Sequence, residues 1–333
     1  MSLLFLVIAF IFFFLISAPI AVAIGLASLP VVIDAGMPIM YIGQRLFASL
    51  DSFTLLAIPF FILAGTIMEG GGISRRLIDF ANTCVGNRYG GLAIVTIVAS
   101  MFFAAVSGSG SATTAAIGAI MIPAMVNKKY DIRFASATTA TAAQIGVIIP
   151  PSIPMVLYCV GTNNSIGTMF IAGIVPGILI GISLILYAGR TSKKLGYVGD
   201  RKYTGAEKWT AFKKAIWALL MPVIILGGIY SGVFTPTESA AIACAYALVV
   251  ALFVYREITF KQLFQIFLKS SITTAVVMII LSTAGLFASV LTYEKVPQLV
   301  ADAFLSLGGN KYVFLIIINI LLFFVGMFFD GGP

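Results

Sequence analysis

Long apolar runs separated by short polar segments make up almost the entire chain. A helix crosses the hydrocarbon core of a bilayer with about 20 mainly apolar residues. Runs of this kind, whole or interrupted, cover residues 3–24, 53–68, 91–126, 135–161, 166–188, 216–230, 235–255, 271–291 and 312–329. We therefore predict an all-α polytopic membrane protein. The first run lacks a basic leader and a clear cleavage site, so we expect a spanning helix rather than a signal peptide.

The polar segments between these runs predict surface helices and loops. Residues 31–50 and 258–268 have the mixed character of interfacial helices, whereas residues 74–88, 190–214 and 293–309 are expected to be loops. Basic loops mark the cytoplasmic side of a membrane protein. If the basic segment 190–214 is cytoplasmic, the predicted crossings place most of the 20 Lys and Arg residues on that side.

Two polar interruptions lie within the apolar runs. The Ser/Gly stretch 106–114 divides residues 91–126 into a helical hairpin, and Pro150-Pro151 divides residues 135–161 into a discontinuous helix. Such breaks expose backbone groups that hydrocarbon cannot satisfy, so they persist only where protein or trapped water lines them. Paired broken helices indicate a transporter site near the bilayer midplane. The alternative is two short turns between ordinary spanning helices.

The predicted crossings also give the two halves of the chain opposite orientations. Each half ends in an apolar run that reaches a glycine-containing polar tip, Ser107-Gly108-Ser109 in the first half and Asp330-Gly331-Gly332 in the second. Inverted repeats with interrupted helices are the architecture of secondary transporters. Weak internal symmetry also arises by chance in apolar sequence, and that alternative stays open here.

Composition excludes several classes of protein. Hydrophobic residues make up 60% of the chain and charged residues 10%, with a mean hydropathy of +1.10, whereas soluble proteins carry about a quarter charged residues. There is no histidine, and Cys84, Cys159 and Cys244 lie far apart, which argues against metal clusters, histidine-based catalysis and a disulfide framework. The net charge of +8 resides in the loops, so we expect no nucleic-acid partner.

Both breaks supply oxygen ligands of the kind that a sodium ion takes from unwound backbone and from hydroxyl groups. They are Ser107, Ser109 and Ser111 at the hairpin tip, and Thr138, Thr139, Thr141, Gln144 and Gly146 before the prolines. A single Ser or Thr more often bonds to its own helix backbone. The prediction therefore depends on the cluster rather than on any one residue.

Charged groups near the apolar runs are few. Asp330 follows an apolar run, where a carboxylate marks an ion or substrate path unless it is a loop residue at the interface. Glu238, three residues after Thr235, predicts a capping box at a helix start. No membrane-embedded arginine is available for an anionic substrate. We expect two helices to direct their amino-terminal amides at such a substrate: the one that begins after the Ser/Gly tip and the one that begins after Ser152.

Several motifs of the chain match a known family. They are VSGSGSAT at 106–113, IMIPAM at 120–125, GVIIPPSIPM at 146–155, IAGIVPG at 171–177 and GVFTPTESA at 232–240. They resemble the DctM-like large membrane subunit of tripartite ATP-independent periplasmic (TRAP) transporters, and the resemblance covers essentially the whole chain. It implies sodium-coupled import of a small organic acid, such as a C4-dicarboxylate or a sugar acid, across the bacterial inner membrane. The implied partners are a periplasmic substrate-binding protein and a small four-helix membrane subunit.

The resemblance also implies an elevator-type fold with inverted repeats and re-entrant hairpins. Residues 1–90 would form scaffold spans and an arm helix, 91–165 the first hairpin and broken helix of the transport domain, 166–311 further scaffold spans with a second arm helix, and 312–333 the start of a second hairpin. Relatives continue beyond this point, so the resemblance implies a truncated second hairpin. For a polypeptide that stops at Pro333 we expect no transport.

Site residues follow from the matching motifs. Sodium ligands are expected at Ser107, Gly108, Ser109, Gly146, Ile149, Pro150 and Asp330, and substrate contacts at Ser109, Gly110, Ser111, Thr141, Pro151 and Ser152. These assignments rest on the resemblance and add to the oxygen-rich breaks found from the residues alone.

Three other functions compete with this one. A sodium-coupled anion symporter that works without a binding protein would use the same residues. A passive channel would need a continuous polar stripe along several spans, which the sequence lacks. An intramembrane hydrolase using Ser107 or Ser109 would lack a base, because there is no histidine and Lys128 and Lys129 lie at the membrane edge. We therefore expect no enzyme activity.

Overall fold

The protein is helical throughout the part that the structure describes. The computed structural model describes residues 2–199, 201–306 and 310–328. Fifteen α-helices lie in these ranges: α1 Ser2–Leu15, α2 Ile20–Asp34, α3 Met40–Ala48, α4 Ala57–Gly70, α5 Ile73–Val85, α6 Gly91–Ser107, α7 Gly110–Asn127, α8 Ile132–Ala143, α9 Ile153–Thr162, α10 Ile166–Lys194, α11 Gly205–Tyr230, α12 Pro236–Val249, α13 Phe260–Tyr293, α14 Val296–Ser306 and α15 Lys311–Phe328.

Six helical segments of the described chain are long and apolar enough to cross a bilayer. They are Phe53–Gly70, Gly110–Asn127, Ile166–Lys194, Gly205–Tyr230, Pro236–Val254 and Phe260–Tyr293. The first begins with a 3₁₀ turn and the fifth ends in a π-helical turn. These helices confirm the prediction of a polytopic all-α membrane protein.

The chain forms two compact units, one of which consists of residues 53–272. In this unit α4 packs along α12, and α6 packs against α5, α7, α8 and α10. Side chains of α12 donate to this segment: the Cys244 thiol to the Phe60 carbonyl of α4 at 2.9 Å, and the Thr237 hydroxyl to the Phe53 carbonyl in the 3₁₀ turn before α4 at 3.3 Å. The hairpin and the broken helix both belong to this unit.

The other unit contains residues 2–52 and the described residues from Thr273 onward. Its core includes Leu6 of α1, Val31 and Val32 of α2 and Val290 of α13, all at most 2% exposed. The Ser282 hydroxyl of α13 donates to the Leu46 carbonyl of α3 at 2.7 Å. Helix α13 thus contributes residues to both units.

Several predicted boundaries were correct. The hairpin forms as α6 and α7, and the discontinuous helix as α8 and α9. Thr235 and Glu238 form the predicted capping box, in which the Thr235 N–H donates to Glu238 Oε2 at 2.8 Å and the Glu238 N–H donates to the Thr235 hydroxyl at 3.3 Å.

The first predicted span was wrong. Residues 3–24 do not form one helix, because the chain turns between Leu15 and Ile20, where Pro19 cannot continue a helix and Ser17 has a φ of 58°. Helices α1 and α2 have 14 and 15 residues, shorter than a bilayer-spanning helix. They pack against each other as a hairpin, with Phe5 and Ile33 lining the same groove.

Other predicted segments also differ. Residues 74–88 belong largely to the amphipathic helix α5, and residues 293–309 include helix α14 rather than a loop. The predicted interfacial helix 258–268 and the span 271–291 are one continuous helix, α13, because no Gly or Pro interrupts residues 260–284. Within the predicted basic loop 190–214, the first and last basic residues lie in α10 and α11.

Candidate functional site

The hairpin tip is shorter than the Ser/Gly stretch that encodes it. Only Gly108 and Ser109 lie between α6 and α7. Gly108 has a φ of 63°, the left-handed region that glycine tolerates best. Ser109 is extended and caps α7, since its hydroxyl oxygen accepts a hydrogen bond from the Ala112 N–H at 3.4 Å. The break therefore ends one helix and starts the next within two residues.

The broken helix is interrupted over a longer segment. A 3₁₀ turn covers Gln144–Val147, and Pro150 and Pro151, joined by a cis peptide bond, follow it. Ser152 then caps α9: its hydroxyl oxygen accepts from the Met155 N–H at 3.4 Å. The same hydroxyl donates to the Val147 carbonyl at 2.6 Å, so a fully buried side chain joins the two sides of the interruption.

The two breaks meet. The Gly108 carbonyl accepts a hydrogen bond from the Ile153 N–H at 3.1 Å. A Cβ atom added at Gly108 would lie 2.8 Å from the Pro151 carbonyl oxygen. The hairpin tip and the proline break are therefore parts of one site, and only a residue without a side chain fits at the contact.

A group of neutral oxygen atoms lies behind this contact. The Thr113 hydroxyl donates to the Ser109 carbonyl at 2.7 Å and lies 3.1 Å from the Ser107 hydroxyl, which is itself 3.4 Å from the Ser109 carbonyl. Ser107 is 4% exposed and Thr113 is fully buried. A Cβ atom added at Gly146 would lie 3.0 Å from Thr113 Oγ1. We call Ser107, Ser109, Thr113 and Gly146 the oxygen cluster.

Thr113 is the one residue of this cluster that is not among the sodium ligands expected from the sequence. It occurs in the matching tip motif, but threonine hydroxyls in helices usually bond to the carbonyl four residues earlier. Thr113 makes that bond, and the carbonyl it contacts is the unwound Ser109 carbonyl. The sequence feature that could have identified Thr113 is its position four residues after Ser109, where the break ends.

The outer side of the tip is more open. Ser111 is exposed, and its hydroxyl lies 3.1 Å from that of Ser109. Ser109 and Ser111 thus bring two hydroxyl groups together at the amino terminus of α7. The N–H groups of Gly110 and Ser111 begin the same helix turn, where the helix dipole favours an anion.

Helix α9 differs from the expectation that it too would offer free amides. The Ile153 N–H donates to the Gly108 carbonyl, and the Met155 N–H donates to Ser152. Pro154 has no N–H to offer. The first turn of α9 therefore holds the hairpin tip through its N–H groups rather than leaving them free for a ligand.

The remaining predicted site residues are less closely associated. Thr141 donates its hydroxyl to the Ala137 carbonyl and lines a separate cavity of about 180 Å³ between α6, α8 and α10. The Ile149 N–H donates to the Ile145 carbonyl at 2.8 Å, beside the break. Asp330 lies outside the described residues.

Among the described residues, the side chains that form the contact and the oxygen cluster are not ionisable. Ser107, Ser109 and Ser111 neighbour other hydroxyl groups, so the described contacts include no base that could activate a serine. Within the described ranges, no group of three or more His, Cys, Asp or Glu side chains is placed to hold a metal ion. The chemistry available is therefore coordination by neutral oxygens and hydrogen bonding from amides and hydroxyls.

Comparison with known proteins identifies the family. The sequence model described as "Tripartite ATP-independent periplasmic transporter, DctM component" matches residues 7–333. The isethionate TRAP transporter permease protein DctMQ of Oleidesulfovibrio alaskensis is 45% identical over 324 residues, which are 97% of this chain and 51% of that protein. The C4-dicarboxylate TRAP transporter large permease protein DctM of Pseudomonas aeruginosa is 47% identical over 289 residues, 86% of this chain and 67% of that protein.

A third relative differs in its named substrate. The sialic acid TRAP transporter large permease protein SiaM of Vibrio cholerae is 40% identical over 293 residues, 88% of this chain and 69% of that protein. The chain thus spans about half the length of DctMQ and about two thirds of the other two relatives. The family match extends over nearly the whole chain, and these relatives are permease subunits rather than enzymes. The chain belongs to the DctM component family of tripartite ATP-independent periplasmic transporters.

Proposed function

We propose that the chain forms the membrane pathway of a sodium-coupled secondary transporter that imports a small organic acid. The observation that carries the proposal is the hydrogen bond from Ile153 to the Gly108 carbonyl, which joins two interrupted helices at one point. Interrupted helices that meet are where secondary transporters hold ion and substrate. The relatives are named for isethionate, C4-dicarboxylates and sialic acid, which supports an anionic organic substrate.

Sodium would bind at the oxygen cluster. Ser107, Ser109 and Thr113 bring two hydroxyls and one unwound carbonyl within hydrogen-bonding distance of one another. Neutral oxygens of this kind can coordinate a monovalent ion. A buried carboxylate would instead need a partner of opposite charge. The ion would replace the hydrogen bonds that now join these atoms. Gly146, Ile149 and Pro150 would add backbone oxygens from the break, and Asp330 would belong to a second site.

The organic acid would bind on the outer side of the tip. The hydroxyls of Ser109 and Ser111 and the N–H groups at the start of α7 offer hydrogen-bond donors to a carboxylate. Gly110, Pro151 and Ser152 fix the shape of this side of the site, and Thr141 would contact a larger substrate. The bound sodium ion adds the positive charge that side chains do not supply here.

Partners and movement follow from the same proposal. A periplasmic binding protein would deliver the acid, a small four-helix membrane subunit would accompany this chain, and the assembly would lie in the inner membrane. The relative named DctMQ supports association with such a subunit. The hairpin and broken helix would travel as a body in an elevator mechanism, with repeats of opposite orientation around them.

Uptake into proteoliposomes tests the function. The permease that contains this chain, the small subunit and the binding protein are reconstituted, and uptake of the acid is measured with and without an inward sodium gradient. We expect uptake only with the gradient. Ser109→Leu should abolish it, since the change removes the cap of α7 and fills the site.

The matched control is Ser183→Leu, because Ser183 is an exposed serine of α10 whose hydroxyl only donates to the Leu179 carbonyl. It should transport like the unchanged protein. Uptake that is indifferent to sodium would refute the proposal. Sodium-driven uptake without the binding protein would favour the simpler symporter, and conductance without saturation would favour a channel.

A further inference from the structure

A second polar region lies away from the hairpin tip. Helix α5 packs against α11, where the rings of Phe80 and Phe212 have centroids 5.7 Å apart. Next to this contact is a cavity of about 390 Å³ whose charged lining residues are Arg75, Arg76, Asp79, Lys213, Lys214 and Glu257. A neighbouring cavity of about 380 Å³ shares Arg76, Asp79 and Lys214 with it. We call the first cavity the basic cavity.

One of its cations has a structural role. Arg76 forms an ion pair with Glu257 at 2.6 Å and donates to the Gly72 carbonyl at 3.0 Å. Its guanidinium carbon lies 3.8 Å from the centre of the Tyr255 ring, and the Tyr255 hydroxyl donates to the Lys214 carbonyl. Arg76 and Glu257 therefore neutralise each other and hold α5 to the segment after α12.

The remaining charges are unbalanced. Arg75, Lys213 and Lys214 face one carboxylate, Asp79, and no ion pair joins these three cations to an acidic side chain in the part of the chain described. Desolvation by the surrounding helices raises the pKa of Asp79, although Arg75, Lys214 and Arg76 act against this shift. The basic cavity thus carries excess positive charge that a small anion would neutralise.

Its position is that of a membrane interface. Lys213 and Lys214 come directly before the apolar part of α11 that begins at Ile216. Trp217 lines the cavity and is 41% exposed. The Lys213 ammonium lies 5.4 Å from the ring centre of Trp209. Tryptophan is enriched at the level of the lipid headgroups, so we expect the phosphates of the bilayer to lie at the depth of this cavity.

We infer that the basic cavity binds the phosphate group of an anionic phospholipid. Arg75, Lys213 and Lys214 would contact the phosphate, and Trp217 would lie against the glycerol and the first methylene groups. Basic cavities between membrane helices on the cytoplasmic side are suited to such headgroups, and the positive loop bias places this end of α11 on that side. The lipid would lie between α5 and α11, apart from the transport site.

The two tryptophans of the chain report on this site directly, because both lie beside it. The purified protein is placed in nanodiscs containing either brominated phosphatidylglycerol or brominated phosphatidylcholine at the same fraction, and tryptophan fluorescence is measured. We expect stronger quenching by the anionic lipid, because bound lipid brings bromine close to Trp217. In Lys213→Gln/Lys214→Gln, binding should weaken by about tenfold or more, so the excess quenching should disappear.

Lys193→Gln/Lys194→Gln is the matched control, since it removes the same charge at the end of α10 and should keep the excess. Arg75→Gln is a second test, which should reduce the excess quenching by the anionic lipid although no residue of α11 is changed. Equal quenching by the two lipids in the unchanged protein would overturn the inference, as would equal loss in both double variants. Loss of the excess on adding inorganic phosphate, but not chloride of the same ionic strength, would show a free-anion site and also overturn it.

Discussion

Thr113 and Thr114 are adjacent threonines with different surroundings. The Thr113 hydroxyl lies in the oxygen cluster, whereas the Thr114 hydroxyl donates to the Gly110 carbonyl at 2.9 Å. We predict that Thr113→Val raises the sodium concentration for half-maximal uptake by about tenfold or more, because an interaction with a charged partner contributes about 1.5–3 kcal/mol. Uptake measured over a series of external sodium concentrations reports the change. Thr114→Val should leave the sodium dependence unaltered, and equal effects of the two substitutions would contradict the proposed ion site.

The pKa of Asp79 predicts a pH dependence of stability. Desolvation raises this pKa above its usual value of 3.8, so the folded protein holds the proton more tightly than the unfolded chain. The free energy of unfolding should therefore fall as pH rises from below 3.8 through the folded-state pKa. Asp79→Asn removes this loss, and we expect a higher melting temperature than that of the unchanged protein at neutral pH. The two melting temperatures should converge below pH 3.8; a less stable variant at neutral pH would show that the neighbouring cations dominate.

At the scale of single residues, the sequence predicted the helix breaks but not all the hydrogen-bond partners of their backbone groups. Ser, Gly and Pro have local conformational effects, so Gly108, Ser109 and Ser152 were recognisable as break and cap residues. The first turn of α9 was predicted to offer free amides. Its Ile153 N–H is instead occupied by Gly108, 45 residues earlier in the chain, and no local rule reports such a contact.

At the scale of elements, the hairpin of α1 and α2 can be tested by cross-linking. Leu6 and Val32 belong to the same buried cluster, whereas in a single helix over residues 3–24 Leu6 would lie about 27 Å from Ile24, the end of that helix nearest to Val32. In a background lacking the native cysteines, Leu6→Cys/Val32→Cys should form a disulfide under mild oxidation, detected by a mobility shift after cleavage between the helices. Leu6→Cys/Leu15→Cys is the control, because two residues of one straight helix about 13 Å apart cannot be bridged. Absence of the first cross-link would restore the single span.

Apolar length predicted the helices that lie within single runs, but not the boundaries between runs. Residues 3–24 were long enough for one span, yet Pro19 and the turn before it divide them. Residues 260–293 changed from polar to apolar without a helix-breaking residue, and the helix continues. Helix α5 was missed because its amphipathic pattern lies next to the glycines at 70–72, which indicated a loop.

At the scale of the whole molecule, the basic loops predict an orientation that labelling can check. Helix α10 has 29 residues and separates the exposed Asn164 from the basic segment around Lys202. In a cysteine-free background, Asn164→Cys should react with a membrane-impermeant maleimide in intact spheroplasts. Lys202→Cys should react only after the membrane is opened. Labelling of both positions from one side would contradict a transmembrane α10, and the reversed pattern would invert the assigned orientation.

The bond between Gly108 and Ile153 joins two peptide groups rather than two side chains. Of the substitutions at position 153, only proline removes the N–H group that donates this hydrogen bond. Side chains around Gly108 and Ile153 can therefore change while this hydrogen bond persists. The main chain therefore sets the geometry of this contact, and the surrounding side chains would set which substrate the proposed site accepts.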